Sequence, residues 1–181
     1  MKKIYLLLII LLNAFTLHAQ LYMTSTGKIS FFSATSIENI SAHSESVKSA
    51  INDATDSILV KATIKTFEFT QPLMKEHFNE KYLESDKYPS ATFKGKVSGN
   101  IDLSKNGKYT VQATGKLTLH GVTQVRTIDG TLEVKDGMVT LDSKFPVKLV
   151  DHKIEVPTVV AAKIAESIDV TVHIVYQPKS K

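Results

Sequence analysis

Of the six histidines, His18 lies in an apolar N-terminal stretch, and His43, His77, His120, His152 and His173 are spread along the rest of the chain. In "EHFNE", Glu76, His77 and Glu80 fall within about one helical turn, a spacing that presents two ligands to a metal. A catalytic metal site needs a third convergent ligand, and no companion pair occurs elsewhere, so these charges read first as a solvated helix face. Asp151 and His152 adjoin, but neighbours on a strand point to opposite faces and make no dyad. His43 and His173 stand alone. "GKLTLHGVT" (115–123) places His120 at the end of an alternating run, beside Gly121 and out of phase with Leu117 and Leu119. No serine or cysteine nucleophile motif accompanies it, so a catalytic base is not indicated. Two roles stay open for His120: a rim residue bonded to nearby backbone, or a donor to a ligand's polar group. Arg126, the single arginine, is in phase with Ile128, Gly130 and Leu132. It either faces an interior near its mouth, where it would pair with an anionic group, or is solvated after a phase slip. Nothing here assembles an enzyme's constellation; the chain reads as a binding protein, with no cofactor indicated.

The elements that must position these residues begin after a distinctive opening, "MKKIYLLLIILLNAFTLHAQ". Lys2 and Lys3 precede a short apolar run, and Leu17-His18-Ala19 ends in a small residue, the pattern of a cleavable export signal rather than a membrane span. Cleavage after Ala19 removes 19 of 181 residues, leaves 162 and lowers the formal charge from +4 to +2. The expected compartment is the periplasm. The remaining lysines are scattered, which argues against nucleic acid, and no later apolar run is long enough for a membrane helix. With zero cysteines, an exported domain of this size must be held by packing alone. Asn39-Ile40-Ser41 is a glycosylation sequon in form only.

Period-two alternation dominates the rest. It marks strands in "GKISFFSA", "SILVKATI", "ATFKGKVSGNI", "KYTVQATGKLTLHG", "VTQVRTIDGTLEV", "MVTLDSKFPVKLV" and "DVTVHIVYQ", with the weakest pattern in "NISAHSES". The phase slips between Ile64 and Phe67, which predicts a bulge near Lys65 or Thr66. Hairpin loops are expected at 104–108 and 135–137, and short helices over 71–88 and 157–168. There is no internal repeat or linker, so 20–181 reads as one domain. Eight long antiparallel strands favour a barrel over a sandwich, since about 12 residues span roughly 40 Å. Small residues recur on the presumed inner faces: Ala91, Gly95, Gly99, Ala113, Gly115 and Gly130. Either they leave cavity volume, or the glycines relieve strand coiling in a packed barrel. Phe31, Phe67, Phe69, Phe93, Tyr109 and Phe145 are likewise core residues or the lining of a channel.

"EHFNEKYLESDKYPSATFKGKV" (76–97), "GKYTVQATGKLTLHGVTQ" (107–124) and "FPVKLVDHKIEVP" (145–157), in this order and with "SILVKATIKTFEF" before them, resemble the YceI-like family of exported, lipocalin-like barrels linked to polyisoprenoid lipids. The resemblance implies an all-β, eight-stranded antiparallel barrel with one or two short helical segments and a long apolar cavity. It implies an isoprenoid tail inside, of the polyprenyl phosphate or quinone type. The N-terminal "TGKISFFSATSIENISAHSESVKSAIND" departs from the family pattern, being shorter and more polar. On this basis the expected ligand-binding residues are Phe93, Tyr109, Val111, Ala113, Leu117, Leu119, His120, Arg126, Leu132 and Phe145. The expected role is an exported carrier or store, monomeric or homodimeric. The alternative is a ligand-free periplasmic stress-related or protein-interaction module.

Overall fold

In the computed structural model, residues 20–179 are described; the export signal expected over 1–19 lies outside them. Nine strands follow in chain order: β1 (Leu21–Ala34), β2 (Asn39–Asn52), β3 (Ser57–Thr63), β4 (Glu68–Phe69), β5 (Ser90–Ser98), β6 (Gly107–Leu119), β7 (Val122–Lys135), β8 (Met138–Lys148) and β9 (Ser167–Pro178). All neighbours are antiparallel, in the order β1-β9-β8-β7-β6-β5-β3-β2, and β1 pairs with β2 to close the ring. The result is an eight-stranded barrel, with the two-residue β4 added beside Ala42 and His43 of β2.

The N-terminal region expected to be short forms two of the longest strands, 14 residues each. β2 is faint in the sequence because its inward positions include Ser44 and Ser49. Ser44 Oγ lies 2.7 Å from Thr66 Oγ1, and Ser49 Oγ donates to the Leu59 carbonyl at 2.8 Å while sharing a second bond with the Tyr176 hydroxyl. Burial raises the Tyr176 pKa, so that hydroxyl stays neutral. The phase slip after β3 is not a bulge but a 3-10 turn, Ile64–Thr66, which drops Ile64 into a small second core with Leu83 and Ile154. The expected 71–88 helix is α1 (Pro72–His77) followed by one π-helical turn, Phe78–Tyr82. The 157–168 helix is reduced to a 3-10 turn, Thr158–Lys163.

Both ends of the barrel follow from this connectivity. The β2–β3, β5–β6 and β7–β8 links lie at one end, where Leu103 of the 99–106 connection is buried in the core. The Tyr22 hydroxyl donates to the Leu103 carbonyl at 3.3 Å, and the Tyr109 hydroxyl is 3.0 Å from the carbonyls of Asp102 and Lys105. This end is closed. Lys105 and Ser104 hold the Asp102 carboxyl well below its usual range, at about 2. Asp136-Gly137 is a two-residue hairpin with φ of 52° and 78°. At the opposite end lie the β1–β2 turn, the whole 64–89 segment, the β6–β7 hairpin and the 149–166 segment.

One seam is only half paired. β7 and β8 share a ladder from Thr131↔Asp142 to Lys135↔Met138, and beyond it the strands part. Pro146, which has no N–H for a ladder, stands in the unpaired half of β8. Side chains bridge the gap instead. Arg126 Nη2 donates to the Pro146 carbonyl at 2.8 Å, Ser143 Oγ to the Asp129 carbonyl at 2.6 Å, and Gln124 Nε2 to the Asp151 carbonyl at 2.8 Å.

Candidate functional site

The inward faces of the strands enclose two joined chambers. The deep one, ≈90 Å³, is bounded by Ile58, Val60, Phe93, Val111, Ala113, Ile128 and Leu132, among others. The outer one, ≈370 Å³, lies under the open end and falls within the usual range for ligand cavities. Ile29, Ala62, Ala91, Leu117 and Phe145 line both, so the two chambers adjoin along the barrel interior. Its walls are almost wholly aliphatic and aromatic. Polar groups gather toward the opening: Gln71 and His77 on one side, Glu38 and Lys163 on the other, the last two 3.7 Å apart.

Four phenylalanines build one wall of the outer chamber. Phe31 and Phe78 are stacked with centroids 5.5 Å apart, and Phe69 lies 5.1 Å from Phe78. Phe67 sits 5.8 Å from Phe31 and 5.5 Å from Phe78. The π-helical turn places Phe78 here: α1 lies over the barrel end, and its C-terminal extension turns this ring down onto Phe31 of β1 and Phe69 of β4. Rings in such a wall present flat apolar surface at little rotamer cost.

Of the residues expected to meet a ligand, Phe93, Val111, Ala113, Leu117, Leu132 and Phe145 face the deep chamber, and Leu117, Leu119 and Phe145 the outer one. Tyr109, His120 and Arg126 line neither chamber, for separate reasons. Tyr109 is the last inward residue before the closed end, and its hydroxyl is spent on the 99–106 connection. Arg126 is on the inward phase, but the parted β7–β8 seam draws its guanidinium to the Pro146 carbonyl.

His120 occupies the first position of the two-residue β6–β7 turn, at φ 51°, with Gly121 at 73°. Its Nε2 lies 2.7 Å from Glu84 Oε2 and its Nδ1 3.1 Å from the His152 carbonyl. Both partners are hydrogen-bond acceptors, facing the two ring nitrogens from opposite sides. Tyr88 packs edge-on at 4.8 Å, and a Cβ on Gly121 would come within 2.4 Å of that same ring. His120 thus ties the β6–β7 turn to the 84–88 loop and to the 3-10 turn Val150–His152. His152 is fully buried, with Nδ1–H donating to the Val122 carbonyl at 3.2 Å, and Nε2 has no partner. Burial pushes its pKa below the ordinary 6.5.

The two readings of the glycines resolve by position. A Cβ on Gly115 would lie 2.3 Å from the Lys94 carbonyl oxygen and 2.4 Å from Gly95 Cα; one on Gly95 would lie 2.6 Å from the Thr114 oxygen. These partners face each other across β5 and β6. Their missing side chains let two backbones coil closely and do not open the channel. Ala113 and Ala91, by contrast, border cavity. In the Glu76/His77/Glu80 cluster, only His77 turns to the outer chamber, while both glutamates are exposed. Among the described residues no group of three or more metal-ligating side chains converges. No helix among them is long and apolar enough to cross a membrane.

A sequence profile of the YceI-like domain matches residues 14–176. The chain belongs to the YceI-like family. Solved structures agree with this fold. A polyisoprenoid-binding domain from Saccharophagus degradans, implicated in plant cell wall breakdown, superposes with a TM-score of 0.76 at 13% identity, over 89% of this chain and 99% of that one. Burkholderia cenocepacia BcnA gives 0.69 at 18% identity, over 82% and 95%. A Campylobacter jejuni YceI protein gives 0.59 at 18%, over 77% and 85%. No curated protein matches the chain. In this YceI-like barrel the mouth is built by connections, not strands, which is why Met74, Phe78, Val160 and Lys163 were not visible as site residues from alternation. The clue available was the clustering of Phe67, Phe69 and Phe78 around a single proline-started helix.

Proposed function

We propose that the chain is an exported, periplasmic carrier or store that holds one long isoprenoid lipid, of the polyprenyl phosphate or quinone type, without transforming it. The observation that carries this is the channel: two adjoining apolar chambers in line, the outer one beneath the open end of the barrel and the other end plugged by the 99–106 connection. Such a shape admits a chain end-on. Transfer of the chain from water into it is driven by apolar burial, at about 25 cal/mol per Å². The polyisoprenoid-binding function of the Saccharophagus degradans domain supports the same ligand class here, and the first 19 residues support export.

The tail enters past the phenylalanine wall toward Phe93 and Ala113, and the headgroup stays at the mouth beside Gln71, His77 and Lys163. Lys163 is half-exposed and held only loosely by Glu38, which leaves its ammonium available to an anionic headgroup. Titration of the delipidated protein with a prenyl phosphate, a prenyl quinone and the corresponding hydrocarbon tests this reading. All three bind at one per chain, and Lys163→Ala weakens only the phosphate, by up to about tenfold given solvent screening. Failure of all three to bind would overturn the assignment.

A further inference from the structure

The open end of the barrel differs from the rest of the surface in where it exposes apolar side chains. Among the described residues, five large apolar side chains are more than half exposed: Ile37, Leu73, Val125, Val150 and Val159. All five lie at the mouth end, on the β1–β2 turn, α1, the first residues of strand β7, and the two 3-10 turns of 149–166. Met138, at the tip of the closed end, is less exposed. Three of the five surround the mouth itself. Leu73, 59% exposed, also lines the outer chamber; Ile37, 61% exposed, precedes Glu38 at the rim; Val159, 88% exposed, precedes the lining residue Val160.

Leu73 and Val159 lie in uncharged stretches, whereas Ile37 adjoins Glu38. "FTQPLM" (69–74) runs between Glu68 and Lys75, and "VPTVVAA" (156–162) runs between Glu155 and Lys163, with Ala161 and Ala162 also exposed. The lysines at this end form no continuous cationic stripe: Lys75 pairs with Glu68 at 2.8 Å, Lys65 with Asp86 and Lys87 with Glu84 at 3.9 Å, while Lys81, Lys153 and the loosely held Lys163 stand apart on separate connections. The rim therefore consists of separate apolar prominences on independent connections, standing around an opening that continues into an apolar channel. A flat protein partner would touch the tips and leave the channel mouth wet. A fluid apolar medium can surround each tip and meet the channel at the same time.

We infer that the mouth end docks on a lipid bilayer, with Ile37, Leu73 and Val159 inserted below the headgroups, so that a lipid passes between bilayer and channel without crossing water. Because the rim presents apolar tips and no continuous cationic stripe, docking is driven by apolar insertion and does not require anionic lipid. It holds whatever lipid the channel carries.

The chain contains no tryptophan, so single substitutions give clean reporters. Val159→Trp and Leu73→Trp at the mouth, and Met138→Trp at the closed end, are mixed with phosphatidylcholine vesicles lacking any isoprenoid lipid. Both mouth reporters should shift to the blue and be quenched by lipids brominated along the acyl chain, while the Met138→Trp reporter should not respond. Raising the salt from about 0.05 to 0.5 M, which collapses the screening length, should leave the response unchanged. Adding Ile37→Asp to either mouth reporter should lower the bound-to-free ratio about tenfold, the equivalent of withholding one aliphatic side chain from burial. Silent mouth reporters, an equal response at Met138→Trp, or binding lost at high salt would overturn the inference. So would a blue shift that grows with protein concentration in the absence of vesicles, because a second copy would then be what covers the rim.

Discussion

Gly115→Ala isolates the difference between a glycine that makes room for a ligand and one that lets backbones meet. The new Cβ would stand 2.3 Å from the Lys94 carbonyl oxygen and 2.4 Å from Gly95 Cα, against an ordinary contact of at least 3.4 Å. Both obstacles are main chain, so no rotamer change relieves them, and β5 must move away from β6 by about 1 Å. Overpacking of this kind costs about 1–3 kcal/mol, and each ladder hydrogen bond weakened around Lys94 and Thr114 adds about 1 kcal/mol. A loss of about 3 kcal/mol corresponds to a melting temperature lower by about 6–12 °C for a domain of this size. Urea and thermal unfolding of the delipidated protein measure it. Gly137→Ala serves as the reference: its added Cβ meets nothing within 4 Å, so only the left-handed backbone at φ 78° is strained, at about 1 kcal/mol. If Gly115→Ala proves as stable as Gly137→Ala, and loses lipid instead, the close-coiling account of the Gly95–Gly115 pair is wrong.

Ala113→Phe should behave in the opposite way, filling the deep chamber and lowering lipid retention while leaving folding largely intact, where overpacking of a filled core would cost about 1–3 kcal/mol; retention by mass spectrometry and unfolding by urea are read on the same sample. His120→Ala breaks the bonds to Glu84 and the His152 carbonyl and should destabilise by about 1–2 kcal/mol, since Glu84 is partly exposed, and both His120→Ala and Arg126→Ala should weaken headgroup-bearing lipid and bare hydrocarbon equally. Selective loss of the headgroup-bearing lipid would return these two residues to the ligand. Burial lowers the His152 pKa, so below the ordinary 6.5 the unfolded chain binds a proton that the folded one resists; stability should fall as pH drops from about 6.5 through the depressed folded value, and His152→Leu should flatten this slope in urea midpoints measured between pH 8 and 5.

The strands were legible wherever one face was purely apolar, as in β6, whose alternation from Tyr109 to Leu119 matches the observed burial. They were illegible where the interior is polar: Ser44 and Ser49 of β2 look like loop residues until Thr66, Leu59 and Tyr176 are brought to them. Alternation also picked out the inward residues that border the deep chamber, because they lie on strands, but it left open whether they pack a core or face a cavity. The mouth escaped it. Phe78 faces the channel only because a π-helical turn follows α1, and Lys163 only because a 3-10 turn replaces the longer helix expected there. His120 and Arg126 carried the right chemistry for a headgroup, yet long-range partners consume it, Glu84 and the His152 carbonyl for one and the Pro146 carbonyl for the other. Pro146 was the available warning: a proline inside a strand marks a place where a ladder is absent.

The central claim is that this channel carries an isoprenoid lipid in its own cell. Native mass spectrometry of the protein purified from its own envelope, without added lipid, tests it most directly. The account predicts a population heavier than the polypeptide by one lipid, released on unfolding and fragmenting in five-carbon steps, and depleted in Ala113→Phe. An empty channel, or a straight-chain fatty acyl lipid in its place, would contradict it.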